Sequence, residues 1–183
     1  MCGIAGLLAA SDAPAPEPTV LAALEGALAH RGPDGSGHTV VGRVALVHTR
    51  LAIIDLATGD QPLFAGSAAL VGNGEIYNYR ELRAEMPQTR FATASDNEVP
   101  LHLWLRDGVG FAAPLRGMYA LAIHDRAART VTLARDPFGI KPLYLAQTQA
   151  GLAFASEPRA LLAAGLVGRA VRSAARDELL QIQ

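Results

Sequence analysis

Apolar residues run almost unbroken from position 3 to position 8, which reads as a buried strand. An Ala/Pro-rich stretch over 13–18 follows as a loop, and Val20, Leu21, Leu24 and Leu28 then recur at helical spacing, predicting a helix that ends near His30. The next segment, HRGPDGSG, packs three glycines and a proline into eight residues. That composition predicts a tight, irregular backbone rather than a strand or helix. Short apolar runs at 44–47, 51–54 and 69–71, each punctuated by Gly, Asp or Pro, read as strands.

In the second half, Asn78 is placed to cap a short helix running to Met86, and a longer helix is expected after Asp96, with Leu101, Leu103, Trp104 and Leu105 as its apolar surface and Gly108 as its stop. Strands are expected at 118–123, 130–134, 143–146 and 152–155, and a terminal helix at 158–164. There is no internal repeat. Strands and helices grouped in runs, without strict alternation, favour an α+β class in which helices cover antiparallel sheets.

Composition narrows the picture. With 183 residues, half of them hydrophobic, the chain can bury one substantial core and reads as one domain. Sixteen basic residues balance seventeen acidic ones, so the cationic excess that a phosphate backbone demands is missing and no nucleic-acid partner is expected. The apolar opening lacks a charged leader and meets Asp12 and the prolines up to Pro18. It is too short for a membrane span and wrong for a secretory signal, so no membrane partner and a cytoplasmic location are expected. His38, His48, His102 and His124 are dispersed, and no pair has the close spacing with acidic or cysteine neighbours that a zinc site shows, so no metal is expected. The glycines of GPDGSG are not followed by the Lys-Ser/Thr of a phosphate loop.

The single cysteine, Cys2, cannot form an internal disulfide and is either a small core residue or a reactive group. Its position carries chemistry. Removal of Met1 would leave a thiol and an α-amino group on one residue, and α-amines, which titrate at roughly 7.7 to 8.0, can take the proton of a thiol without any histidine. Other candidates are ambiguous taken one at a time. Asn73-Gly74 is a strong hairpin-turn signal, Arg50 reads equally as a surface residue ending a strand, and Ser95 with Glu98 has the spacing of a capping box that Asp96 could share. Pro100 falls in the first turns of the helix expected there, where it would remove a backbone hydrogen bond unless the helix starts later.

Eight segments resolve these ambiguities together. MCGIAG, HRGPDGSG, HTRLAIIDL, NGEIYNYRELR, SDNEV, LRGMYALAIHD, RDPFGIKPLY and FASEPRALL stand in the order found in the amino-terminal glutaminase domain of glutamine-hydrolysing asparagine synthetases, which this chain resembles from Met1 to about Leu162. The resemblance implies a class II glutamine amidotransferase with an N-terminal-nucleophile hydrolase fold, a four-layer αββα sandwich of two antiparallel sheets. It implies that Met1 is removed and that Cys2 forms a thioester with the side chain of L-glutamine. Asn73 and Gly74 match an oxyanion hole. Arg50 matches the residue that holds the α-carboxylate, with Leu51, Ala52, Ile53 and Ile54 lining the pocket behind it. Glu75 and Asp96 match contacts to the α-ammonium group. His30 and Arg31 border the pocket in a structural role, and RDPFGIKPLY is placed near the domain core.

On this reading residues 1–165 form the amidotransferase domain, and 166–183 begin a linker or form a C-terminal tail. Nothing here resembles the S-G-G-x-D-S pyrophosphate loop of a synthetase, so ATP and magnesium are expected only on another domain or subunit, which would receive the ammonia through an apolar face. In the isolated chain that exposed face leads to self-association or a homo-oligomer. A different ammonia acceptor, or a silent module that only binds its partner, are the alternative readings.

Overall fold

The computed structural model describes residues 1–170, 173–174 and 177–178. Among these residues nine strands form two antiparallel sheets. The first contains β1 (Gly3–Ala9), β2 (Gly35–Val41), β3 (Val44–Arg50), β8 (Tyr144–Thr148) and β9 (Gly151–Ala155), in the order β2-β3-β1-β9-β8. The second contains β4 (Leu63–Ala65), β5 (Ala68–Ile76), β6 (Gly117–Asp125) and β7 (Thr130–Arg135), in that order. Helices α1 (Pro18–Leu28) and α4 (Pro158–Ala163) cover the outer face of the first sheet. Helices α2 (Tyr79–Ala84) and α3 (Glu98–Asp107), with a 3-10 turn over Gly108–Ala112, cover that of the second. The expected α+β class and αββα layering are both present.

The strand period of two sorts the side chains into three cores. On β1 and β3, Ala5, Leu7, Ala45 and Val47 face Leu21, Leu24 and Leu28 of α1, while Ile4, Val44 and Leu46 face the opposite sheet. On β5 and β6, Leu70, Leu121 and Ile123 face Leu101, Leu103 and Trp104 of α3, and the inward positions hold Ala69, Val71, Ala120 and Ala122. These small inward residues let the sheets approach, and Phe154 fills the layer between them. Gly6 makes room for that ring, since a Cβ there would lie 2.5 Å from it.

Several expectations about local structure are corrected. Residues 51–54 form no strand: Leu51 N–H points to Cys2 Sγ at 3.4 Å and Ala52 N–H to Asp34 Oδ2 at 2.8 Å, so side chains take the backbone groups that a ladder would use. The second half of HRGPDGSG is not irregular but opens edge strand β2, whose residues alternate between partial and full exposure and pair with β3 through Gly35↔Arg50. Asn78 stands at the N-cap position of α2 as expected, but its side chain makes no capping bond and instead joins the chain at Pro114 O (2.9 Å) and Arg116 N–H (2.9 Å). Nor do Ser95 and Glu98 form a capping box, because Glu98 accepts from Ala92 N–H and Thr93 N–H at 2.7 Å each. Pro100 is tolerated because α3 starts at Glu98, so the missing N–H is one that has no intrahelical acceptor in any case. Gly108, at φ +59°, ends α3 as expected.

After α4 the chain reverses at Gly165 (φ +68°), with Leu166 N–H reaching Leu161 O at 3.0 Å, a Schellman stop. Leu166 and Val167 still pack on the outer core of the first sheet, two residues past the expected domain boundary. Much of the expected linker, 171–172, 175–176 and 179–183, lies outside the described residues.

The turn between β7 and β8 is organised by one carboxylate. Asp136 is buried and accepts from Tyr119 N–H (3.2 Å), Phe138 N–H (3.1 Å), Ile140 N–H (2.9 Å) and Lys141 N–H (3.0 Å). Burial pushes its titration up, but these donors outweigh burial and hold it below the ordinary aspartate range. A depressed folded value gives stability that is present above the ordinary range and lost as pH falls through the folded value. Asp136→Asn is therefore expected to cost about 3 kcal/mol at pH 7, lowering the melting temperature by roughly 6 to 12 °C. The difference from wild type should narrow in acid; a gap independent of pH, measured by thermal melts across the range, would contradict this account.

Candidate active site

The two sheets part at one end, where β1 and β6 begin and β3 and β5 end, and leave a pocket of about 500 Å³. Cys2 precedes β1 at its rim. The thiol is clasped by a single residue of the loop after β3, with Sγ 3.4 Å from Leu51 N and 3.6 Å from Leu51 O. Arg31 fixes the cysteine from the other side by donating from Nε to Cys2 O at 3.0 Å, and it is itself paired with Glu157 at 2.8 Å.

The inward period of β3 carries His48 and Arg50 into the pocket, and that of β5 carries Asn73. Asn73 is buried and its Nδ2 has no hydrogen-bond partner among the described residues. Gly74 lies beside it, so close to β6 that a Cβ would stand 2.2 Å from Met118 O. Arg50 donates from Nη1 to Asp60 at 2.6 Å and from Nη2 to the carbonyl of Asp55. Its partner Asp60 is 81% exposed, so one prong of the guanidinium is held by a carboxylate that solvent can reach.

Asp96, in the loop before α3, is buried and receives Ile76 N–H at 2.7 Å and Asn97 Nδ2 at 3.2 Å, with no cation paired to it among the described residues. Burial raises its titration above the ordinary aspartate range, and the two donors only partly offset this. Glu75 lines the same wall. His48 is 1% exposed, and neither ring nitrogen has a hydrogen-bond partner among the described residues. Burial pushes it down to about 4; a contact with the Gly72 backbone opposes this without reaching hydrogen-bond geometry, Arg50's charge reinforces it, and Asp60's opposes it. The ring is thus neutral at pH 7.

The pocket gathers Cys2, Asn73, Gly74, Arg50, Leu51, Ile53, Ile54, Glu75 and Asp96. Ala52 does not line it, because its N–H is turned to Asp34 outside. Sequence reasoning missed His48, Gln61, Asn97 and Lys141, all in the lining. The signal for His48 was available: it stands two residues before Arg50, and a strand brings such residues to one face. The RDPFGIKPLY segment is structural through Asp136, yet it also delivers Ile140 and Lys141 to the pocket beside Cys2.

Two facing antiparallel sheets between helix layers, with a thiol just before a central strand, are the architecture of the N-terminal-nucleophile hydrolase fold. The chain belongs to the glutamine amidotransferase domain family, whose model matches residues 1–183. It is 40% identical over 165 residues to asparagine synthetase [glutamine-hydrolyzing] 2 of Bacillus subtilis (88% of this chain, 22% of that protein), and 44% identical over 147 residues to asparagine synthetase [glutamine-hydrolyzing] of Triphysaria versicolor (79% and 25%). It thus spans about a quarter of the length of these relatives. Among solved structures, glutamine phosphoribosylpyrophosphate amidotransferase from B. subtilis superposes with a TM-score of 0.74 at 26% identity, over 90% of this chain and 44% of that one. No helix among the described residues is long and apolar enough to cross a membrane.

The buried carboxylate gives a prediction that needs no ligand. A folded value above the ordinary range means that the contribution of Asp96 to stability is full in acid and is lost as pH rises through that value. Asp96→Asn should therefore gain stability relative to wild type as pH rises from 3 to 7, by denaturant unfolding at each pH. A difference that shrinks over that interval would show that the carboxylate is held by cationic partners instead.

Proposed function

We propose that this domain hydrolyses L-glutamine to L-glutamate and ammonia through a thioester on Cys2, and that the ammonia feeds amide synthesis of the asparagine type on a synthetase domain or subunit. The observation that carries the reading is the thiol clasped by Leu51 in the same pocket as the unpartnered amide of Asn73. With Met1 removed, the α-amino group of Cys2 takes the thiol proton and the sulfur attacks the side-chain carbonyl carbon of glutamine. The oxyanion is met by Asn73 Nδ2 and the Gly74 backbone, donors whose removal typically costs about 100- to 1000-fold in turnover. Collapse returns the proton to the leaving nitrogen as ammonia. Water then attacks the thioester, the amine takes its proton, and glutamate leaves.

Specificity follows from charge placement. The α-carboxylate displaces exposed Asp60 from Arg50 and takes the paired N–H groups of the guanidinium. The α-ammonium goes to Asp96, with Glu75 alongside, and gives the buried carboxylate the cation it lacks. Leu51, Ile53 and Ile54 flank the ligand's methylenes. No step calls for a nucleotide or metal; ATP and magnesium belong to the synthetase, which also supplies the acceptor. That the relatives are glutamine-hydrolysing asparagine synthetases supports this partner, as do the exposed Leu56, Phe138 and Leu145, apolar side chains left for another surface to cover. The setting is cytoplasmic.

The test is glutamate release by processed protein, with and without ATP and aspartate. Hydrolysis without ATP, lost in Cys2→Ala, is expected. Arg50→Lys should raise KM more than it lowers kcat, and Asn73→Ala should lower kcat more than it raises KM. Full activity with Met1 retained or with Cys2→Ala would overturn the mechanism, and strict ATP dependence would overturn the independence of the domain.

A further inference from the structure

Lys141 is the only lysine in the chain, and it is buried at 5% exposure in the wall of the pocket that holds Cys2. Its backbone is fixed at both ends, N–H to Asp136 at 3.0 Å and carbonyl to Arg135 Nε at 2.7 Å, and the residue lines the pocket. The Nζ reaches Met1 Sδ at 3.2 Å, a weak acceptor, and pairs with no carboxylate among the described residues. The other cations near Cys2 are compensated, Arg31 by Glu157 and Arg50 by Asp60. The remaining charged or titratable groups around the pocket are Glu75, Asp96, His48, and Asp136, whose oxygens are taken up by backbone N–H groups including that of Lys141.

The residue that covers this ammonium is the one whose removal activates Cys2 in the reading above, on which this inference rests. The side chain of Met1 spans roughly 6 Å or less between its sulfur and the backbone nitrogen of Cys2. Once Met1 is gone, the ammonium stands within roughly 9 Å of the new α-amino group, and no carboxylate among the described residues is in ion-pair contact with it. We propose that Lys141 is a positioning residue for the nucleophile, a fixed cation that favours the form of the amine–thiol pair carrying one proton fewer. The two groups titrate as a unit, and whichever of them keeps the remaining proton, the form that has lost one has the lower charge. A neighbouring cation favours that form and makes more of the nucleophile available at neutral pH.

The test uses processed chain, with loss of Met1 checked by intact mass, and compares wild type with Lys141→Met and Lys141→Arg. Two pH profiles are read: kcat/KM for glutamine hydrolysis, and the rate at which iodoacetamide alkylates the single thiol. Lys141→Met should move the acid limb of both profiles up by about one pH unit, the size expected for one charge at this distance in partly screened surroundings. Lys141→Arg, which keeps the charge, should stay close to wild type. If Lys141→Met does not fold, Lys141→Gln carries the same expectation. Unmoved profiles in the neutral variants, or an equal shift in Lys141→Arg, would overturn the role. The alkylation profile does not depend on glutamine, so wild type that alkylates as expected but leaves glutamine intact would fault the proposed reaction and spare Lys141.

Discussion

The site depends on how Leu51 meets Cys2. One residue presents both its N–H and its carbonyl to the sulfur, which is possible only where its backbone is free of a sheet ladder. The fold arranges this by ending β3 at Arg50 and diverting the following loop, whose next N–H is taken by Asp34. The antiparallel register of β1 on β3, with Gly3 opposite Thr49, brings the residue before β1 alongside the residue after β3. A slip of one residue would turn both side-chain sets over and separate the thiol from its clasp.

The same geometry explains why polar groups with missing partners collect at one place. Between the sheets the layer is apolar, built from Ile4, Leu46, Val71, Ala120, Ala122 and Phe154, and it gives way to the pocket where Arg50, Asn73 and Met118 take the inward positions at the strand ends. Among the described residues, Asn73 Nδ2 and both ring nitrogens of His48 lack a hydrogen-bond partner and the Asp96 carboxylate lacks a cation, and burial opposes each of these arrangements. Unsatisfied buried groups typically cost about 1 to 3 kcal/mol each. The large apolar cores on the two outer faces, built on α1 and α3, supply the stability that such a pocket consumes.

Much of this was legible in the chain. The unbroken apolar run of β1, the helical spacing of α1, the glycine that ends α3 and the grouping of strands all led to a layered α+β sandwich, and the eight ordered segments identified the pocket residues that the structure brings together. What could not be read was backbone diverted by side chains. Residues 51–54 are as apolar as a strand, yet their N–H groups serve Cys2 and Asp34, and no local pattern announces a partner so distant in sequence. Glu98 and Asn78 carry the residue types of helix caps but spend their oxygens on loops. The wall formed by Lys141 escaped notice because the turn that delivers it is folded around Asp136, a contact between separate strands.

The account turns on whether the amino-terminal thiol is the group that meets the glutamine side chain. The direct measurement is intact-mass analysis after incubation with a glutamine analogue that carries an electrophilic carbon in place of the amide, followed by peptide mapping. One label per chain is predicted, on Cys2 of molecules that have lost Met1, with excess glutamine protecting it. Labelling that glutamine does not slow, that falls on another residue, or that proceeds equally with Met1 in place would contradict it.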